Sequence, residues 1–406
     1  MKQIEVALFV SMVLVAEALG AASALSPEAM GGDPNGIGKS NIDFVAFENK
    51  SAFECTEQHS SVCRERRNES PGQINYLIDN GENLYRDGEE LLFVYRADAG
   101  AVSLRGGLQY PLSRIIGTDM WVLRLHVADL DELVLSYAFA VDNAPPPNDL
   151  YFHWRGEAAP DGHKVADELD GLSEWISVDS TALSSSRRVY VYRSPTIGNE
   201  PVRFVVYFAD GKYAREFARV IEPMVDERVL PRLLIVAVEA AEGGARNEEY
   251  VPALGAQSGR FDAYQEFVRR ELVPLVERRY GVSVAPVCRS VAGFSNGADW
   301  AIATGLNNSN LFEHVIAFSA GWPLATDLDR TNVNVTFFLG AGTLDQRYYK
   351  NTKKIEAQLS AGGVHHAFAD VVGGHDLAVW IQLFVPALSW SVSEGACFER
   401  KVPGES

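Results

Sequence analysis

Positive charge is scarce in this chain: 36 Lys and Arg stand against 54 Asp and Glu, a formal net charge of −18 over 406 residues. Such a surface repels phosphate backbones and anionic lipid heads, which argues against nucleic-acid or membrane-surface binding as its main task. Histidine is sparse, and the one adjacent pair, His365 and His366, lies in a strand-like run, where neighbours point to opposite faces. That placement argues against a shared metal site. No internal repeat and no low-complexity tract is visible. A phosphate loop is missing too: in "GIGKS" the glycine required five positions before Gly38 is replaced by Asp33, and no strand precedes it. Beyond the N-terminus no segment reads as long and apolar enough to span a bilayer.

What the chain does have begins at its start. Lys2, an apolar run from Val6 and the small-residue pattern Ala22-Ser23-Ala24 fit a secretory signal peptide over residues 1–24. The expectation is a secreted or periplasmic protein that leaves the membrane once the signal is cleaved. Export gives the even cysteine count a meaning. Cys55, Cys63, Cys288 and Cys397 allow three pairings. Cys55 with Cys63 is the simplest local loop and leaves Cys288 with Cys397; a buried free thiol at Cys288 is an equal reading.

The length predicts two domains, and the apolar content of 47% is enough for sizeable cores. Residues 25–84 read as a lead-in whose first part is rich in Gly, Pro and Asn. Residues 85–145 carry short alternating runs, "ELLFVYRAD", "AVSLRGG", "DMWVLRLHV" and "LVLSYAFAVD", which predict the antiparallel strands of a β-sandwich. The prolines of "NAPPPND" end that pattern and open a linker over 146–185. From 186 to 400, continuous apolar strands alternate with helices, the pattern of a parallel sheet covered on both faces.

Within that second domain Gly293-Phe294-Ser295-Asn296-Gly297 has the form G-x-S-x-G, with the strand "RSVAGF" before it and the helix "GADWAIATGL" after it. A serine nucleophile must stand at the tip of a sharp strand-to-helix turn, and crowding there demands flanking residues without bulk. Downstream, Asp345 in "TLDQ" follows a strand and His375 in "GGHD" precedes a helix. The order Ser, acid, His is that of α/β-hydrolases. Asp345 also reads as a plain N-cap for the helix at "QRYYKN". Asp370 is the second candidate acid, and Asp376 reads as a helix-start residue. Trp322, after "FSAG", is a candidate pocket residue. Arg246 and Tyr250, in "GGARNEEYVP", are candidate substrate contacts on a loop at a strand end.

The segments "VAGFSNGA", "GAGTLDQ" and "GGHDLAVW" resemble the esterase family that includes enterochelin esterase, esterase D and the feruloyl esterases, over about residues 186–392. Residues 85–142 resemble the β-sandwich that precedes the catalytic domain in enterochelin-esterase-like proteins. The resemblance implies an α/β-hydrolase domain preceded by a small immunoglobulin-like β-sandwich. It implies a carboxylic-ester hydrolase with Ser295 as nucleophile, His375 as general base and Asp345 as orienting acid. One oxyanion-hole N–H would come from Asn296 and the other from Lys212 or Gly211. No metal or organic cofactor is implied. The substrate class is a small-molecule or polysaccharide-linked ester, such as a siderophore, feruloyl or acetyl ester. Acyl transfer to an alcohol, and non-catalytic binding on the same scaffold, are the alternatives.

Overall fold

The computed structural model describes residues 61–65, 69–144, 146, 151–324, 333–395 and 397. The expected signal peptide and Cys55 lie outside the described residues. The chain divides into two compact units. One holds residues 1–105, 109–128 and 138–150; the other holds 106–108, 129–137 and 151–406.

The first unit is built on an antiparallel sheet. Its strands are β1 (Val62–Arg64), β2 (Leu84–Asp87), β3 (Glu90–Arg96), β5 (Ser113–Arg114) and β6 (Met120–Val127). They run in the order β1-β6-β3-β2, with β5 also on β6. The strand β4 (Val102–Gly106) follows β3 in the chain. The helix α1 (Pro71–Asp79) packs Ile74 and Leu77 with Leu92, Val94 and Val122 of the sheet. The later part of the expected lead-in is therefore folded. A three-residue strand such as β1 is too short to show alternation in the sequence. Its Cys63 is disulfide-bonded.

The second unit is organised by an eight-stranded sheet. Its members are β9 (Leu172–Ser180), β10 (Ser185–Arg193), β11 (Phe204–Phe208), β12 (Leu233–Val238), β13 (Arg289–Phe294), β14 (His314–Phe318), β15 (Thr336–Gly342) and β16 (His366–Val371). The order is β16-β15-β14-β13-β11-β12-β10-β9. From β12 to β16 every pairing is parallel, while β10 joins β12 and β9 antiparallel. This is the mixed sheet of an α/β-hydrolase. The expected linker over 146–185 needs correction, because it holds β9 as well as β8 (Phe152–Arg155). β8 pairs with the first half of β7 (Val134–Val141). β9 is an edge strand: Ile176 and Val178 point inward, and polar residues alternate outward, so it lacks a continuous apolar run.

Period-two alternation sends neighbouring side chains to opposite faces. Val205 and Tyr207 of β11 enter one core, and Phe204, Val206 and Phe208 enter the other. The first core is covered by a long helix α4, which comprises Arg260–Glu266, Phe267–Leu272 and Val273–Tyr280. Its middle stretch is wound as a wider π-helix just before Pro274, which has no N–H to give a normal turn. The helices α5 (Asn296–Asn307) and α6 (Gln346–Ala361) complete that face. The second core is covered by α2 (Ala214–Asp226) and α7 (Leu377–Glu394), and α3 (Gly244–Tyr250) follows β12. By length and composition α7 could cross a membrane. In this structure Leu383, Phe384 and Leu388 are buried in the core beneath the sheet. A disulfide joins Cys288, just before β13, to Cys397, just after α7, which settles Cys288 as bridged.

Candidate active site

Ser295, Asp345, His375 and Gly211 all follow the carboxyl ends of parallel strands (β13, β15, β16 and β11), where open α/β sheets place ligands. Ser295 has φ 54° and ψ −133°, backbone values that a residue with a Cβ adopts only under constraint. Its N–H is fixed by a 2.9 Å bond to the carbonyl of Phe318. A Cβ on Gly293 would run into the backbone of Gly297, and one on Gly297 would lie 2.9 Å from the Ala209 methyl. Both glycines are thus required by close approach. α5 starts at Asn296, and its first N–H groups have no acceptor within the helix. They carry the positive end of the helix dipole toward the space beside Ser295. The Asn296 side chain donates to Asn247 Oδ1 at 2.6 Å.

Asp345 stands at the N-cap position of α6, yet its side chain makes no capping bond. It is 7% exposed, and Oδ2 lies 2.6 Å from His375 Nδ1. A carboxylate can only accept, so Nδ1 carries the proton and Nε2 is left for another partner. The loops bearing the two residues are joined by bonds from Thr343 N–H to Val371 O and from Leu344 N–H to Gly373 O, each 2.9 Å. Two aromatic rings fix the imidazole. Tyr348 lies against it with centroids 4.2 Å apart, and Trp380 meets it edge-on at 4.9 Å and 90°. Trp380 is itself held by stacking on Phe294 at 4.0 Å and by donating its indole N–H to Ser319 Oγ at 3.1 Å. The next residue, Asp376, caps α7: it accepts from Val379 N–H at 3.0 Å and Ser136 N–H at 3.2 Å. Burial pushes its carboxyl up to about 6. Asp370 is exposed on β16 and accepts from the Tyr349 hydroxyl at 2.9 Å, whereas His375 Nδ1 pairs with Asp345.

Two residues absent from the sequence reading stand in this cluster. Tyr348, whose ring lies against His375, also brings its phenol near the Ser295 side chain. Asp299, buried in the first turn of α5, accepts N–H groups from Gly321 at 3.2 Å and Trp322 at 3.1 Å. It thereby pins the loop after β14 beside Ser295. Burial raises its carboxyl to about 8, against the pull of those two N–H donors. Trp322 is half-buried, with the Arg347 guanidinium 5.6 Å from its ring.

The segment carrying Arg246 and Tyr250 is not a loop but α3, a helix too short to show a periodic signal. Arg246 forms a two-pronged ion pair with Asp210, both distances 2.7 Å, and lies 5.0 Å over the Tyr250 ring. Tyr250 is fully buried and its hydroxyl accepts the Asp210 N–H at 3.1 Å. It therefore presents no surface to a substrate. Together they hold Asp210, at φ 59°, at the start of the turn Gly211–Tyr213. The Gly211 and Lys212 N–H groups lie in that turn and have no acceptor within it. Among the described residues no group of three or more His, Cys, Asp or Glu is placed to hold a metal ion.

A family model described as Putative esterase matches residues 180–391. The enterobactin esterase FES of Shigella flexneri, solved with 2,3-di-hydroxy-N-benzoyl-glycine, is similar in fold. Its TM-score is 0.60 at 19% identity, over 76% of this chain and 96% of that one. The ferric enterobactin esterase of Salmonella typhimurium gives 0.61 at 17% identity, over 76% and 96%. The Uncharacterized protein YjcH of Bacillus subtilis (strain 168) is 28% identical over 110 residues, which is 27% of this chain and 42% of that protein. The chain thus spans less than half the length of that curated relative.

Proposed function

This chain belongs to the Putative esterase family, and from that premise we propose that it is a carboxylic-ester hydrolase working through an acyl-enzyme on Ser295. The observation that carries the reading is the bond from buried Asp345 to His375 Nδ1, made in place of a helix cap. It leaves His375 Nε2 as the base for the Ser295 hydroxyl. The reaction requires the Ser295 hydroxyl to meet Nε2; hydrogen bonds in a resting active site commonly tighten only when substrate is present. As Ser295 attacks the ester carbonyl, His375 takes its proton and Asp345 stabilises the imidazolium. The N–H groups of Asn296 and of Gly211 or Lys212 receive the oxyanion, each donor contributing about 10²–10³ in rate. His375 then protonates the leaving alcohol, and water releases the acyl group.

The substrate we assign is a small-molecule or polysaccharide-linked ester, of the siderophore, feruloyl or acetyl type. The fold similarity to enterobactin esterases supports beginning with siderophore esters. The N-terminal pattern Lys2, apolar run, Ala22-Ser23-Ala24 supports action outside the cytoplasm. The test is hydrolysis of p-nitrophenyl acetate by the mature chain and by Ser295→Ala. The reading expects a loss of about 10³-fold or more in kcat/KM. Full activity in the variant would refute it. Acylation of Ser295 followed by transfer to an added sugar, with little hydrolysis, would identify an acyltransferase instead.

A further inference from the structure

Over Tyr348, whose ring lies against His375, stands a cation whose placement the fold does not explain. Arg347 is the second residue of α6, whose first turn holds no acidic residue. A cation there opposes the helix dipole, which favours negative charge at that end. Arg347 is exposed, and among the described residues no carboxylate lies within 4.0 Å of its guanidinium. The carboxylates near it are otherwise occupied: Asp345 is turned to His375, and Asp299 holds the Gly321 and Trp322 N–H groups. Lys350, one turn further on, is also exposed without an ion pair among the described residues. Two aromatic rings flank the guanidinium, Trp322 at 5.6 Å and Tyr348 at 5.8 Å. Tyr348 is the residue whose ring lies against His375. A fork of N–H donors with no ion pair among the described residues, flanked by two aromatic rings of which one lies against His375, is suited to grip a planar anion.

We infer that Arg347, with Trp322 and Tyr348, forms a specificity subsite that selects esters carrying a carboxylate close to the scissile bond. The inference rests on the esterase reading and adds the charge of the substrate to it. The guanidinium binds the carboxylate in a two-pronged fashion, the rings flank it, and Asp299 keeps Trp322 in place.

Two matched pairs test it: 4-acetoxybenzoate against 4-acetoxybenzamide, and mono-(4-nitrophenyl) adipate against 4-nitrophenyl hexanoate. The first pair puts the charge on the alcohol, the second on the acyl group. The readout is the ratio of kcat/KM, anionic over neutral, corrected for each ester's reactivity with hydroxide. The wild type should favour the anion about ten- to hundredfold in at least one pair, the range of a charge-assisted two-pronged bond. Arg347→Met should reduce that ratio at least tenfold, Arg347→Lys should reduce it less, and Arg347→Glu should invert it. Lys354→Glu, with the same charge change on an exposed part of α6, should leave it unchanged. Ratios near one in both pairs, or a ratio untouched by Arg347→Met, would overturn the subsite. Protection of Ser295 from a fluorophosphonate by benzoate, compared with benzamide, reads the same preference without turnover. A failed subsite and a failed esterase reading therefore give different results.

Discussion

Asp345 and Asp376 are the same residue type at the same kind of position, the N-cap of a helix in the second unit. Both are buried, and they are employed in opposite ways. Asp376 satisfies backbone: it caps α7 through Val379 N–H and holds the buried Ser136 N–H. Asp345 leaves its helix uncapped and turns to an imidazole. Capping by an aspartate contributes about 0.5–2 kcal/mol. A fold that forgoes this contribution at Asp345 gains orientation of His375 in exchange. The comparison teaches that a helix-start aspartate is read by what its carboxylate abandons as much as by what it binds.

Exchange of Asp345 for Asn is expected to have the largest effect. It should lower kcat/KM by about 10³–10⁴, because the wrong imidazole tautomer is then favoured, while Tm moves little. Steady-state kinetics with a p-nitrophenyl ester beside a melting curve checks both halves. The opposite pattern belongs to Asp376→Ala. Losing the cap and stranding the Ser136 N–H should cost about 2–4 kcal/mol of stability. With no reacting charge facing that side chain, kcat/KM of the folded fraction should change less than about tenfold. Urea titration and active-site-normalised kinetics would separate the two.

A smaller effect lies in pH. Asp376 titrates near 6 in the folded chain, against about 3.9 for an ordinary aspartate. Between those values the folded state binds the extra proton, so stability falls as pH rises from about 4 to about 6 and is level above. Asp299, near 8 when folded, adds an arm that continues falling to about pH 8. The difference in unfolding free energy between wild type and Asp376→Asn should therefore vary only below about pH 6. That for Asp299→Asn should vary up to about pH 8. Urea titrations at intervals of pH would show whether the two windows separate. The smallest effect is expected of Asp370→Asn: its exposed carboxylate only accepts from Tyr349, so kcat/KM should stay within about twofold.

Local chemistry was the part of this molecule legible in sequence. The strand, the strained Ser295 and the helix after it are specified within a dozen residues, because the two glycines and the alternating apolar pattern are local constraints. The parallel sheet was legible from its continuous apolar strands. The edge strand β9 was not, since its solvent face is polar, and neither was α3, which is too short to display a period. The employment of Asp345 was ambiguous for a physical reason: capping a helix and binding an imidazole place identical demands on residue type, and only the tertiary position of His375 shows which of the two the carboxylate does. Tyr348, Asp299 and Arg347 had no motif at all. Their roles depend on the loop after β14 meeting the first turns of α5 and α6, a juxtaposition that spacing along the chain does not encode.

The most direct test of the account is the rate at which a fluorophosphonate modifies the chain, followed by intact mass and peptide mapping in wild type, Asp345→Asn and Asp376→Asn. The account predicts one adduct per chain, on Ser295, formed about 10³-fold more slowly in Asp345→Asn and at nearly the wild-type rate in folded Asp376→Asn. An adduct on another residue, or equal slowing in the two aspartate variants, would contradict it.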